Sequence, residues 1–277
     1  MAKSNDKKDE KNVRLSIDGL YLSFGKISVL SQVTFDVCEN EILALIGPNG
    51  AGKTSIINCI SGFYKPDAGK INFEGKDIFR RRPDKIAQLG IGRTFQNIQL
   101  YSGLTTLDNI MAGRHLRMKC GYFSNAFYYG RTKREEVRER FIVEEIIDFL
   151  NLQQLRNQLV GVLPYGKRKV VELGRALALE PRLLVLDEPM AGMNLEEKED
   201  MARYIIDIFE GQKRGYDSDI LKNGINSIVF IEHDMDVVMD IADSIVVMDY
   251  GTKIAEGIPE EIKKDPKVLK AYLGDSN

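Results

Sequence analysis

Gly47-Pro48-Asn49-Gly50-Ala51-Gly52-Lys53-Thr54 decides how the rest of this chain is read. The apolar run Ile42-Leu43-Ala44-Leu45-Ile46 precedes it and predicts a buried strand. Ser55-Ile56-Ile57-Asn58-Cys59-Ile60 follows it and predicts a helix. Strand, glycine-rich loop, Lys-Thr and helix, in that order, are the setting of a P-loop. Gly47, Gly50 and Gly52 let the backbone curl. Gly47, Pro48, Asn49, Gly50, Ala51, Gly52, Lys53, Thr54 and Ser55 then form a cradle whose N–H groups point at a polyphosphate. The helix N-terminus adds its own free donors and its dipole. Lys53 would reach the β- and γ-phosphates, and the Thr54 hydroxyl would ligate Mg²⁺. A glycine-rich structural turn that holds Lys-Thr by coincidence would not need both flanks. The chain reads as binding a nucleoside triphosphate.

The totals restrict what surrounds that site. The 277 residues are enough for one large α/β domain with an insertion, or for two modest domains. Lys and Arg total 39 against 41 Asp and Glu, so no global basic field speaks for nucleic acid. Cys38, Cys59 and Cys120 are scattered without C-x-x-C or metal-ligand spacing, the pattern of reduced thiols in a cytosolic compartment. No apolar run approaches the roughly 20 residues of a membrane span. Residues 2–12 are polar and mixed in charge; they read as a disordered tail, not a signal peptide. Work at a membrane would therefore require docking onto another chain.

Between Val13 and Val37 apolar residues recur at period 2, predicting two or three antiparallel strands. Phe24, beside Gly25, is either an adenine-stacking ring or a half-buried strand aromatic. Residues 70–75 predict a short strand, 83–89 a brief helix, and 90–95 a strand ending at Gln96. From 96 to 163 the pattern turns helical, with Val137, Phe141, Ile142, Ile146, Phe149 and Leu150 at helix-face spacing. The aromatic-rich stretch 121–130 is either a docking surface or the local packing of a loop. The α/β pattern then resumes. Leu183-Leu184-Val185-Leu186-Asp187-Glu188 is a buried strand ending in two carboxylates, 195–209 a helix, and 211–224 an exposed polar loop. Ser227-Ile228-Val229-Phe230-Ile231-Glu232 is a second buried strand, followed by His233. Strands at 244–249 and 252–256 and helical segments at 259–264 and 267–273 close the chain. The fold class is α/β: a P-loop core with a mostly parallel sheet, an antiparallel β subdomain and an inserted helical subdomain. The expected layout is a tail at 1–12 and one domain at 13–277. Within it, 13–95 and 164–257 form the core, 96–163 the insertion and 258–277 a helical tail.

Open α/β sheets bind ligands at the carboxyl ends of their strands, where Asp187 and Glu188 fall. Adjacent strand residues point opposite ways, so the two carboxylates take different jobs. Asp187 would hold Mg²⁺ through water, and Glu188 would polarise the attacking water or take its proton. His233 follows a strand of the same sheet and is a candidate to touch the γ-phosphate, whereas His115 has no comparable context. Gln96 could touch both Mg²⁺ and the segment that moves.

From Arg14 to Gly274 the chain resembles an ATP-binding cassette ATPase subunit. The resemblance rests on the Walker A loop 47–54, the glutamine loop at Gln96, the Walker B stretch 183–188 and the switch His233, in that order. Gly92-Arg93-Thr94-Phe95-Gln96, Ala191-Gly192-Met193-Asn194, Ile231-Glu232-His233-Asp234-Met235 and Ala271-Tyr272-Leu273-Gly274 are similar to the subgroup that powers branched-chain amino-acid importers. It implies ATP and Mg²⁺ as cofactors, Phe24 at the adenine, and a second ATPase subunit with which two ATP molecules are clamped head-to-tail. It also implies two membrane-spanning permease subunits, a solute-binding protein acting through them, no nucleic acid, and a peripheral location on the cytoplasmic face of the inner membrane. There are departures. The family's Leu-Ser-Gly-Gly-Gln stands as Leu163-Pro164-Tyr165-Gly166-Lys167, leaving Gly166 and Lys167 as the groups that would serve the partner's ATP, and an expected aspartate is Asn194. Two other readings are a soluble ATP-driven switch on nucleic acid or the ribosome and a non-hydrolysing regulatory cassette. The first class usually carries two cassettes and basic linkers, which this chain lacks.

Overall fold

The computed structural model describes residues 12–117, 131–211 and 225–273. The tail before residue 12, the aromatic-rich stretch 121–130, Cys120 and most of the polar loop 211–224 lie outside the described residues.

Two sheets face each other. In the first, β1 (Val13–Phe24), β2 (Ile27–Cys38), β4 (Ala68–Phe73) and β5 (Lys76–Asp77) pair antiparallel in the order β2-β1-β4-β5. The second runs β10-β9-β3-β8-β7-β6. It consists of β3 (Glu41–Ile46), β6 (Ile91–Arg93), β7 (Leu183–Asp187), β8 (Ser227–Ile231), β9 (Ser244–Asp249) and β10 (Thr252–Gly257). All its pairings are parallel except the hairpin β9-β10 at its edge.

The apolar runs of β3, β7 and β8 are continuous because both faces of this sheet are covered. Period 2 sends Leu43, Leu45, Val185, Val229 and Ile231 into a core shared with β1, β2 and the helix α1 (Lys53–Ile60). Their neighbours Ile42, Ala44, Ile46, Leu184, Leu186, Ile228 and Phe230 enter a second core on the opposite face. The helices of that face are α3 (Thr106–Arg114), α4 (Arg131–Phe149), α5 (Tyr165–Leu177), α6 (Leu195–Glu210) and α7 (Met235–Ile241). The brief α2 (Pro83–Gln88) leads into β6, and α8 (Pro259–Ile262) and α9 (Pro266–Leu273) end the described chain.

Two expectations shift. The strand foreseen over 90–95 is only the three-residue β6, after which the chain leaves the sheet toward Gln96. Val137 and Phe141 are exposed. The buried stripe of α4 is Ile142, Val143, Ile146 and Ile147, continued by Leu150 just past its end, and it is rotated around the helix because α3 and α5 cover that side. α5 begins next to the expected boundary at 163–164, and its apolar side lies in the core that α3, α4 and the sheet share.

Candidate functional site

β3, β6, β7 and β8 all end at one edge of the sheet, and every chemical group foreseen from the sequence near that edge comes from the last residue of one of them or from the segment that follows it. Asn49, Gly50, Ala51, Gly52, Lys53, Thr54 and Ser55 wall one cleft of about 280 Å³ together with Gln96, Glu188 and His233. Gly47 lies beneath the loop with φ +146°. A Cβ there would stand 2.1 Å from the Met248 carbonyl oxygen, so the loop approaches β9 as closely as it does only with glycine. Pro48 faces away, into a second cavity with Tyr250 and Lys267. Lys53 Nζ donates to the carbonyls of Gly47 (2.6 Å) and Pro48 (3.0 Å), which centres its charge inside the curl. Burial lowers the pKa of this amine, and the charges of Glu188 and Asp187 oppose that shift.

Across the cleft Glu188 has φ +49°, a left-handed backbone that a non-glycine residue adopts only at a cost. Its carboxylate receives Gln96 Nε2 at Oε2 (3.1 Å) and faces His233 Nε2 at Oε1 (2.9 Å), so the ring donates its Nε2–H. Asp187, one residue earlier, is fully buried (0 % exposed). Its Oδ2 pairs with the Arg93 guanidinium at 3.1 Å, while Oδ1 is buried without a hydrogen-bond partner. Burial raises the Asp187 pKa; the charge and hydrogen bond of Arg93 pull it back. That orphaned oxygen is an acceptor open to a hard cation such as Mg²⁺. An oxygen-rich set of one buried carboxylate, the Thr54 hydroxyl and the Gln96 amide suits a hard cation that retains water and phosphate ligands. The residues fit.

Phe24 is not in the cleft wall. It is 49 % exposed and stands edge-on to Tyr64 with ring centroids 5.1 Å apart, while Val29 lines the cleft instead. Gly166 and Lys167, in the first turn of α5, are also outside it. A Cβ on Gly166 would meet the Glu197 carboxylate at 2.2 Å. Glu197 is itself held by Asn194. The Asn194 side chain accepts from Glu197 N (2.9 Å) and the Glu197 carboxylate accepts from Asn194 N (3.1 Å), a complete capping box on α6.

Reasoning from the sequence overlooked four buried charges as site residues. Arg93 binds Asp187 and donates to Asn58 Oδ1 at 2.7 Å. Glu232 accepts from Met190 N (2.8 Å) and His233 N (3.3 Å), fixing the turn that carries the histidine. Lys169 and Glu172, on α5, reach the backbone around Gln96. Their signal was present as charged residues recurring inside an otherwise apolar helix face, at 169, 172 and 175.

Comparison with known proteins agrees with this geometry. Residues 30–191 match the family model described as ABC transporter, and 252–276 match one described as branched-chain amino acid ATP-binding cassette transporter. The chain is similar to the high-affinity branched-chain amino acid transport ATP-binding protein BraF of Pseudomonas aeruginosa, 35 % identical over 95 % of this chain and 98 % of the relative. It is similar to LivG of Escherichia coli K12, a protein of the same description, at 34 % over the same shares. A crystal structure of a nucleotide-free ATP-binding cassette from an ABC transporter superposes with a TM-score of 0.77 at 33 % identity, over 95 % of this chain and 100 % of that one. The ADP conformation of an ATP-binding cassette of an ABC transporter gives the same TM-score at 32 %, over 95 % and 99 %. The chain belongs to the ABC transporter family, as an ATP-binding and ATP-hydrolysing subunit.

Proposed function

We propose that this protein is the ATPase of an importer for branched-chain amino acids, coupling closure of an ATPase pair to solute movement. The observation that carries the catalytic half is the Glu188 carboxylate, held between Gln96 and His233 directly across a cleft from Lys53 and Thr54. Backbone N–H groups of residues 49–55 would take the phosphates, with the α1 dipole and Lys53 adding positive potential. Glu188 would orient the attacking water and accept its proton, and His233 would hold that carboxylate and touch the γ-phosphate. Gln96 would link the same carboxylate to the chain leading into the helical region. When bound, Mg²⁺ would supply charge neutralisation between β- and γ-phosphates. Thr54, Asp187 and Gln96 are the residues that would hold it.

Phe24 would stack on adenine from the end of β1. Gly166 and Lys167 lie outside this chain's own cleft, which supports their use at the ATP of a second ATPase subunit. The solute side rests on the relatives' described role in branched-chain amino acid transport. No helix among the described residues is long and apolar enough to cross a membrane. Two permease subunits, fed by a solute-binding protein, would therefore provide the path, with this chain peripheral on the cytoplasmic face of the inner membrane.

Glu188→Gln tests the reading. The amide keeps the size of the side chain and cannot accept the proton. Phosphate release should fall at least about 10²-fold while Mg-ATP binding persists and a closed dimer accumulates. Unchanged turnover removes Glu188 from the mechanism.

A further inference from the structure

Three charged side chains on one face of α5 hold the glutamine loop and the catalytic turn by their backbones. Lys169 is 3 % exposed, and its Nζ donates to the carbonyl oxygen of Glu188 (3.0 Å) and to that of Gln96 (3.3 Å). One turn further on, Glu172 is 1 % exposed. Its Oε1 accepts from the N–H groups of Phe95 (3.4 Å) and Gln99 (3.3 Å). Another turn on, Arg175 donates to the Gln99 carbonyl. Residues three apart share a helix face, so α5 presents a rod of alternating charge to the segment 95–99.

Burying an ammonium is costly, and an apolar side chain of similar length would fill the same space. What the amine does here is join two carbonyls that come from different parts of the sheet, after β6 and after β7. One belongs to Glu188, whose left-handed φ of +49° must be held by its surroundings. The amide end of that turn is held by Glu188 N donating to Ile231 O at 3.1 Å, and the carbonyl end by Lys169. The same helix begins at Tyr165, so its first turn carries Gly166 and Lys167.

We infer that Lys169 is a positioning residue for ATP hydrolysis: by bridging the Glu188 and Gln96 carbonyls it sets the catalytic carboxylate and the glutamine amide in register with each other and with α5. This rests on the assignment of Glu188 as the group that activates water. Without the bridge, the Glu188 turn relaxes and the carboxylate drifts from the attacking water, while the phosphate cradle on β3 and α1 is untouched. A displacement of about 1 Å is worth about 10²-fold in rate. The loss therefore falls on kcat and spares ATP affinity.

The test uses the full-length chain, with steady-state phosphate release measured across Mg-ATP concentration and Mg-ATP affinity measured by calorimetry. Lys169→Met should lower kcat about 10²-fold with KM and Kd changed less than about three-fold, and Lys169→Arg should recover most of the rate. Lys169→Gln, whose amide keeps two N–H donors without the charge, should fall between and serves if the methionine variant does not fold. Added to Glu188→Gln, Lys169→Met should cause no further loss, since the two act through one carboxylate. Full activity in the methionine and glutamine variants overturns the inference. So does a parallel loss of ATP affinity without rescue by arginine, or losses that multiply in the double variant. If Glu188→Gln itself leaves turnover unchanged, the assignment of Glu188 has failed; if Glu188→Gln is inactive and the Lys169 variants are normal, only the role of Lys169 has.

Discussion

Asp187 and Glu188 are neighbours in the chain and live in opposite surroundings. Asp187, the last residue of β7, turns its side chain inward to Arg93, and the left-handed turn at Glu188 that follows aims the next carboxylate at Gln96 and His233. A fully buried carboxylate is tolerated only with a partner, and Arg93 is the partner that Asp187 has in this structure. Removing one member of a buried pair leaves the other charge uncompensated. Arg93→Ala should therefore cost about 3–5 kcal/mol of stability, read as a lower midpoint in urea denaturation. An equal midpoint would mean that Asp187 is already satisfied or protonated without it. The carboxylate pair was legible in the sequence, because two acids closing a buried strand have few structural uses. Arg93 was not, since nothing in Gly92-Arg93-Thr94 says which acid its guanidinium meets.

At the level of elements, α6 shows how a departure from the family pattern acquires a physical meaning. Asn194 replaces the expected aspartate, and it is a complete N-cap: its side chain bonds Glu197 N while the Glu197 carboxylate returns to Asn194 N. The same carboxylate fills the space against Gly166 at the start of α5. Asn194→Ala should lower stability by about 1 kcal/mol through the lost cap. Because Glu197 would then be free to swing, the first turn of α5 should become more exposed as well, seen as faster amide exchange at residues 165–168. Unchanged exchange there would separate the cap from the α5 contact. The period-2 and period-3.6 patterns located most strands within a few residues, but they gave no reading for α7 and no bounds for α3 or α5. They failed on the rotation of α4, where Val137 and Phe141 look like core residues and are exposed. A helix with apolar residues on more than one side does not declare which side its neighbours will cover.

The whole molecule places the cleft walled by Lys53, Thr54, Gln96, Glu188 and His233 at one sheet edge and contains, among its described residues, no helix fit to cross a membrane. Under the proposed importer function, work on a solute would pass through contacts with other chains. Purification in mild detergent should bring down membrane-spanning subunits together with a second ATP-binding subunit, identified by mass spectrometry. Recovery with ribosomal proteins instead would point to a soluble switch. The amino-acid sequence by itself determined the α/β class and pointed to the glycine loop, the two carboxylates and the histidine, because each depends on neighbours within a few residues: glycines in one turn, acids at one strand end, apolar residues at one spacing. The tertiary structure alone decided that Lys169 holds Glu188 and Gln96, that Arg93 faces Asp187, and that Val29 stands in the cleft wall. Those contacts join segments tens of residues apart, and a buried charge finds its counterpart only when the cores on both sheet faces have packed and excluded the water that would otherwise solvate it.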